Sequence, residues 1–453
     1  MTTKIARTGT TPTNTNKYTW SAWIKRNRLG TGESIVYNYY DGNNRGYIAF
    51  DSDDKLFFYD KTGSEQNNCY ATRRFRDINC WYHIHVKADS TLGSDRFVVH
   101  INGVQETITG TTIDQNDNLG FKTATGTNQH SIGTNADSTA NPFSGIISHV
   151  HYVDGLALPY TDFGSTDSTT GEWKINTSPT VSEYGANGYF ILKDGNSVTD
   201  QSGKGNNFTV TNGTLTKSED CPSNVFCTMN PLQFPNDAIQ STFANGNTSI
   251  SGNNSHWQRT YGTIAAKSKG KWYYEWKCTA ISSGNNRLGW DSVDLINEGT
   301  DSYYSGLTLD GNGELRGGVR GYNNYDPNSV QMTQAYSGGN FSFGTNDFLG
   351  MAIDLDNQTI SVYKNGNLEI NAYSYSSASN CSIIKSRGHF IAPSVNFHST
   401  SGNANTGSFN FGNGAFGSTQ LTGTTYTDSN SQGVFKYQPP TNYLAWCTKN
   451  LNV

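Results

Sequence analysis

The sequence predicts an all-β chain made of two β-sandwiches joined by a partly ordered polar segment. Three observations lead there. One hairpin is written twice: Asp95–Ile108 reads D-R-F-V-V-H-I-N-G-V-Q-E-T-I, and Gln358–Ile370 reads Q-T-I-S-V-Y-K-N-G-N-L-E-I. In each, a β-branched and aromatic run enters Asn-Gly and an alternating run leaves it. Asn102-Gly103 and Asn365-Gly366 both accept φ > 0, which a tight type I′ turn demands. The composition sets 48 Gly, 26 Tyr and 22 Phe against only 15% charged residues, with helix formers thin; that mix favours strands with many turns. Short runs of apolar/polar alternation recur between turn signals, the pattern of a sandwich rather than of strands alternating with helices.

Taken in order, residues 1–16 form a Thr-rich polar arm with no apolar stretch of the kind a signal peptide carries. The first module, 17–164, holds strand candidates at Tyr18–Lys25, Ser34–Tyr39, Gly46–Phe50, Lys55–Tyr59, Trp81–Ala88, Phe97–Asn102, Val104–Ile108 and Ile146–Val153, separated by turns such as Asp41-Gly42 and Asp154-Gly155. Residues 165–223 connect the modules. Gly188–Lys193 and Asp200–Val210 read as strands near 185–215 that join one of the flanking sandwiches; a long ordered linker is the alternative. The second module with its C-terminal extension, 224–453, carries Gly270–Lys277, Arg287–Trp290, Phe348–Asn357, Ile360–Gly366 and Ser408–Gly412. Within it, period-two alternation places Met351, Ile353 and Leu355 on one face and Asp354 and Asp356 on the other.

The strand order of the first module resembles the laminin-G-like, concanavalin A-like jelly roll. Tyr18-Thr-Trp-Ser-Ala-Trp-Ile-Lys25 looks like its opening core strand, Trp81–Val86 with Val98–Gly103 like its central strands and hairpin, and Phe143–Tyr152 like its closing strand. Five ordered motifs of the second module resemble a SPRY domain, itself a concanavalin A-like sandwich. The bridge from Asp154 through Gly171-Glu-Trp-Lys174, and the tail from Tyr437-Gln-Pro-Pro440 to Leu451, resemble segments of virion structural proteins of marine tailed bacteriophages. That resemblance implies a non-enzymatic virion appendage, on tail fibre, tail or capsid, made in the host cytoplasm. It would bind a host-surface glycan or protein, dock to other virion proteins and form a homo-oligomer. A purely structural capsid decoration or tail-assembly protein, and a surface-polysaccharide depolymerase, are the two rival readings.

Composition narrows the partners. Hydrophobic residues make up 34% of the chain and are strongly aromatic, so disorder is not the reading. A net charge of −5 argues against a groove that tracks nucleic-acid phosphates. No apolar run approaches the roughly 20 residues needed to span a membrane. A surface rich in Asn, Ser and Thr suits sugar or protein contacts. The seven cysteines are scattered without a C-x-x-C pair, which reads as buried reduced thiols ahead of a zinc site or disulfide frame.

Catalytic motifs are missing: there is no G-x-S-x-G, H-E-x-x-H, Walker loop or Rossmann glycine pattern. A glycosidase of this fold places paired carboxylates on one strand face, as in E-x-D-x-E. Asp354-x-Asp356 comes nearest, where a turn-capping role is the plainer reading, and no cofactor is expected. His83 with His85, and His149 with His151, are i, i+2 pairs that share a strand face and could ligate a metal; polar interface positions compete with that reading. The acidic loops Asp51-Ser-Asp-Asp54 and Asp114-Gln-Asn-Asp117 offer hard oxygen ligands for calcium, or simply solvated turns. The binding candidates are two loops mixing aromatics with amides: Tyr39, Tyr40, Asp41, Asn43 and Asn44, and Tyr322, Asn323, Asn324, Tyr325 and Asp326. Rings stack on a sugar's apolar face and Asn or Asp pair with its hydroxyls; such loops also build protein-binding surfaces, or pack their own tyrosines.

Overall fold

A computed structural model of the chain describes residues 2–121, 129–193, 195, 197–232, 241–252, 258–267, 269–281, 286–293, 306–311, 313–317, 333–336, 341–376, 388–399 and 404–451. Its regular structure is almost entirely β, in two compact units: Met1–Lys217 with Cys221–Ser223, and Ser218–Asp220 with Asn224–Val453. Both are concanavalin A-like jelly-roll sandwiches. Among the described residues no helix is long and apolar enough to cross a membrane.

The first unit runs β1 (Lys4–Thr8), β2 (Lys17–Arg26), β3 (Glu33–Asp41), β4 (Asn44–Phe50), β5 (Leu56–Thr62), β6 (Glu65–Ala71), β7 (Trp81–Asp89), β8 (Phe97–Ile101), β9 (Val104–Gln105), β10 (Ile108–Thr111), β11 (Gln129–Ile132), β12 (Gly145–Asp154), β13 (Gly164–Thr166), β14 (Trp173–Ile175), β15 (Tyr189–Ile191) and β16 (Thr209–Asn212). One sheet has the order β10-β6-β5-β4-β3-β11-β1-β16, the other β15-β12-β2-β7-β8-β9. Strand β2 shows how the sequence builds this. Tyr18, Trp20, Ala22 and Ile24 point into the core between the sheets, while Ser21 and Trp23 lie opposite His85 and His83 of β7. The hairpin strand read as Val104–Ile108 divides: β9 stays in one sheet and β10 pairs with β6 in the other.

Residues 4–8 differ from a polar arm. Ile5 is 2% exposed, and β1 sits inside its sheet between β11 and β16, with Ala6 opposite Ser131 and Thr209. One buried isoleucine, with neighbours that complete the ladder on both sides, is enough to recruit this stretch. Strands β15 and β16 also join the first unit, through β12 and β1.

In the second unit one sheet centres on Lys271–Ala280, flanked by Phe348–Asp354 and Asn405–Asn410; Thr359–Lys364 and Asn367–Ser374 continue it. The other centres on Phe390–Phe397 and Asn286–Ser292. Trp276, Trp290, Phe409 and Phe411 fill the core together with Met351, Ile353 and Leu355, which share one face as the alternation predicts. Trp446 enters the same core and stacks on Trp272 with centroids 4.8 Å apart.

Both Asn-Gly turns have φ > 0 at the two central residues: 49° and 77° at 102–103, 50° and 86° at 365–366. In each, the Asn side chain accepts the N–H of the preceding strand's residue: His83 N to Asn102 Oδ1 at 2.7 Å, Phe348 N to Asn365 Oδ1 at 2.9 Å. An aromatic ring also closes over each turn glycine. A Cβ on Gly103 would stand 2.4 Å from Trp173, and one on Gly366 2.8 Å from Tyr437.

Candidate functional site

The outer face of the eight-stranded sheet carries an aromatic row. On β3, β4 and β5 the core takes Val36, Ile48 and Phe58, so alternation turns Tyr37, Tyr39, Arg45, Tyr47, Phe57 and Tyr59 outward. Tyr37 lies opposite Tyr47, and Tyr47 opposite Tyr59. The rings are stacked, with centroids 4.7 Å apart and planes inclined by 13° at both steps. That separation equals the spacing of neighbouring strands, so each ring stands upright on its own strand. Phe57 stacks in the same way on Tyr70 at 4.6 Å. Tyr37 and Tyr59 are buried at 4% and 8% exposure, and Tyr47 between them is half-buried. Tyr39 departs from the stack, tilted by 48° against Tyr37. Burial pushes the Tyr37 hydroxyl up to about 12 and Tyr47 higher still, against the pull of Arg45, so both remain neutral hydrogen-bond donors and acceptors.

The same face continues through Ser131, opposite Tyr37, to Ala6 and Thr209. There an open groove of about 400 Å³ is lined by Arg7, Thr8, Gln129, Asn206, Thr209 and Thr211 among others. Gln129 stands between the two regions, opposite Tyr39 on one side and Thr8 on the other. Its Oε1 accepts a 3.0 Å hydrogen bond from Lys4 Nζ. Tyr37, Ser131 and Ala6 are buried, so the accessible parts of this face are the groove and the half-exposed Tyr39, Arg45 and Tyr47.

Of the residues singled out in sequence, Tyr39 belongs to this face. Asp41, Asn43 and Asn44 form the β3–β4 turn and largely satisfy one another. Asp41 Oδ1 accepts Asn43 N at 2.7 Å, and Asn44 Nδ2 reaches both Asp41 oxygens at 3.0 and 3.1 Å. Tyr40 sits at an irregularity in the β3–β4 pairing and is partly buried. Tyr322, Asn323, Asn324, Tyr325 and Asp326 lie outside the described residues. Sequence reasoning passed over Tyr47, Tyr59, Arg45 and Gln129. A signal was present: aromatics at alternate, non-core positions of three successive strands.

The histidine pairs lie elsewhere, on the outer face of the six-stranded sheet. Their strands do not meet, because β2 lies between β7 and β12. Residues 155–176 cover this face as a strap. Trp173 Nε1 donates to His83 Nδ1 at 3.0 Å, and His83 Nε2 bonds Ser21 Oγ at 2.8 Å. His85 Nε2 meets Leu158 O at 3.1 Å, and Tyr160 stacks on His100 at 4.1 Å. His151 Nδ1 bonds the Tyr184 hydroxyl at 2.9 Å. Burial holds His83 down to about 3 and keeps His85 and His151 well below the usual imidazole value.

Among the described residues no group of three or more His, Cys, Asp or Glu is placed to hold a metal ion. In the acidic loops Asp51, Asp54 and Asp117 have protein partners. Asp54 faces Arg26 at 3.2 Å and Arg76 at 2.9 Å, and Asp51 Oδ1 accepts the N–H groups of Asp53 and Lys55, both at 2.9 Å. Asp117 Oδ2 closes its own turn on Asp114 N at 2.7 Å. In the second unit, Asp354 caps a turn through Asp356 N at 3.0 Å and Asn357 N at 2.9 Å, and pairs with Lys271 at 2.9 Å.

Residues 2–158 match the family described as the Concanavalin A-like lectin/glucanases superfamily. No curated protein matches the chain. Among solved structures, the SPRY domain of human HERC1 is 16% identical, covering 37% of this chain and 91% of that one, with a TM-score of 0.26. Domains LG4-5 of the mouse laminin alpha1 chain are 8% identical, covering 90% and 84%, with a TM-score of 0.30. A putative carbohydrate binding protein from Bacteroides ovatus is 16% identical, covering 47% of this chain and 58% of that one, with a TM-score of 0.31.

Proposed function

We propose that the first unit is a non-enzymatic glycan-binding module, used by a bacteriophage virion to hold a host-surface polysaccharide while the rest of the chain docks to other virion subunits. The observation that carries the glycan step is the sheet face that holds the half-exposed Tyr39, Arg45 and Tyr47 and, beyond Gln129, the groove at Thr209. Neutral tyrosine hydroxyls, amides and threonines match the alternating donors and acceptors of a sugar chain, and Tyr39 adds a ring outside the stack. The match of residues 2–158 to a lectin and glucanase superfamily supports the same reading. The non-enzymatic step is supported by the carboxylates. Those of the candidate phrases, Asp354 and the acidic loops, are bound to turn N–H groups or cations and are not paired across a cleft. The virion step is supported by the bridge and tail segments that resemble those of marine phage proteins.

The test is affinity electrophoresis of the full chain through gels containing host-surface polysaccharide. Retardation is expected, and Tyr47→Ala, which removes the middle ring of the row, should abolish most of it with the fold intact by circular dichroism. Unretarded wild-type protein would remove the glycan reading. Shortening of the polysaccharide would show a depolymerase instead.

A further inference from the structure

Two cations face each other on the tyrosine face. In the β4–β5 ladder Arg45 lies directly opposite Lys61. Like charges at such a position are destabilising, and an interleaved carboxylate is the ordinary remedy. Among the described residues no carboxylate pairs with either. Lys61 Nζ bonds only neutral oxygens, Gly42 O at 3.3 Å and Asn43 Oδ1 at 3.0 Å. Arg45 lies among Tyr37, Tyr47 and Tyr59, and the Tyr59 hydroxyl donates to Gln66 Oε1 at 3.1 Å. The Arg45 Cζ stands 5.4 Å from the Tyr59 ring centroid, and its Nε is buried with no hydrogen-bond partner.

Two of the nearby acids, Asp41 and Asp60, are engaged or turned away. Asp41 is held by Asn43 and Asn44. Asp60, beside Lys61 in sequence, points to the opposite face, where it accepts the N–H groups of Gly120 and Phe121 at 2.7 and 2.9 Å. Asp137 is exposed and acts on Lys4 and Tyr37. A guanidinium over the Tyr59 ring, with an ammonium across the ladder, is a fork-and-point-charge arrangement suited to a planar or tetrahedral anion.

We propose that the glycan bound on this face is acidic, its carboxylate or sulfate ester held between Arg45 and Lys61 while the half-exposed Tyr47 bonds a neighbouring sugar hydroxyl. This rests on the glycan reading above and goes further by naming the charge of the ligand. The arginine is the specificity-determining residue, because its fork supplies two parallel donors where Lys61 supplies only charge.

The experiment uses the full chain on an immobilised panel. Oligogalacturonate and polysialic acid carry carboxylates, and dextran sulfate carries sulfate esters. Methyl-esterified oligogalacturonate and plain dextran are their neutral counterparts. Binding confined to charged members, weakened about tenfold or more by Arg45→Gln and by added salt, is the expected result; the carboxylate and sulfate arms then tell which anion is taken. Arg45→Gln also relieves the Arg45–Lys61 repulsion, so its melting temperature should not fall, which separates lost recognition from lost folding. Equal binding to charged and neutral counterparts, or an Arg45→Gln variant that binds acidic members like wild type, would overturn the acidic assignment and leave the glycan reading standing. Binding to no member of the panel would overturn both.

Discussion

Single buried carboxylates fasten segments that have no strand of their own. Glu275, on the central strand of the second unit, is 0% exposed. It accepts Tyr437 N at 2.8 Å, Lys436 N at 3.0 Å and Asn410 Nδ2 at 2.9 Å, so it ties the returning tail to the sheet. Burial pushes its carboxyl up to about 7, although these donors pull the other way. The folded-state value thus lies above the unfolded one, about 4.3. The native state holds the proton more tightly, so the contribution of Glu275 to stability is complete below the unfolded value and declines as pH rises to about 7. The slope is at most about 1.4 kcal/mol per pH unit. Glu275→Gln keeps the shape but offers one acceptor oxygen where two are used, and turns an NH₂ toward backbone N–H groups. It should cost about 1–3 kcal/mol and flatten the pH dependence of the second unit's melting between pH 5 and 7.5. Melting curves of the two proteins that run parallel across that range would show that Glu275 is not the titrating group. The motif K-W-Y-Y-E-W-K told where this strand lies. It could not tell that Glu275 would be covered, because the covering residues are more than 150 positions away.

At the scale of elements, the strap over the six-stranded sheet is tied to the protonation of histidine. An indole N–H only donates, so Trp173 bonds His83 only while Nδ1 is bare. A protonated imidazole would point N–H at N–H. The surroundings give it no relief. His85 and His100 lie close, at 5.6 Å between their rings, Lys87 acts on both, and His149 and Lys193 act on His151. From the strap come Tyr160, Asp162, whose carboxyl burial raises, and the exposed Asp167–Lys174 pair. The His83 value is depressed on folding, mainly by burial and then by His100, so its contribution is complete above about 6.5 and is lost as pH falls toward about 3. Amide hydrogen exchange in the β13–β14 ladder should therefore speed up between pH 6.5 and 4, after correction for intrinsic rates, before the core strands β2 and β7 lose protection. Trp173→Phe keeps the ring over Gly103 but removes the donor, and should bring fast exchange to neutral pH. A strap equally protected at pH 7 and pH 4 would refute this linkage. The i, i+2 spacing of His83 and His85 was legible as a shared face; its cover was not, because the Trp173 that pairs with it stands in a short polar phrase.

For the whole molecule, the legible parts were those with dense alternation. Strands rich in β-branched and aromatic residues, such as β2, β7 and Phe348–Asp354, follow the sequence reading closely. Strands that bury only one or two small groups did not stand out: β6 commits Cys69 and Ala71 to the core, β11 only Ile132, and β1 only Ile5. The aromatic face escaped for a related reason. Tyr37, Tyr47 and Tyr59 are far apart in sequence and meet only through the register of three strands. The duplicated hairpin also means more in three dimensions than in sequence. In each unit its Asn side chain locks the preceding strand, and an aromatic from outside the long alternating strands, Trp173 or Tyr437, seals its glycine. Each sandwich is thus closed by residues that lie outside its alternating strands, which sets where the chain can be cut. Residues 1–217 contain β1, β15, β16 and the strap with the core of their unit, and residues 224–453 contain all of the other unit's hydrophobic core. Expressed separately, each should unfold in one cooperative transition. A fragment of residues 17–164 keeps the alternating strands but loses Ile5 from the core, Tyr189 and Ile191 at the edge of the second sheet, and Trp173 over Gly103. It should show no cooperative melting transition and should bind 1-anilinonaphthalene-8-sulfonate through the apolar surface laid open. A 17–164 fragment as stable as 1–217 would show that the closing residues are dispensable and that the sandwich stands on its alternating strands alone.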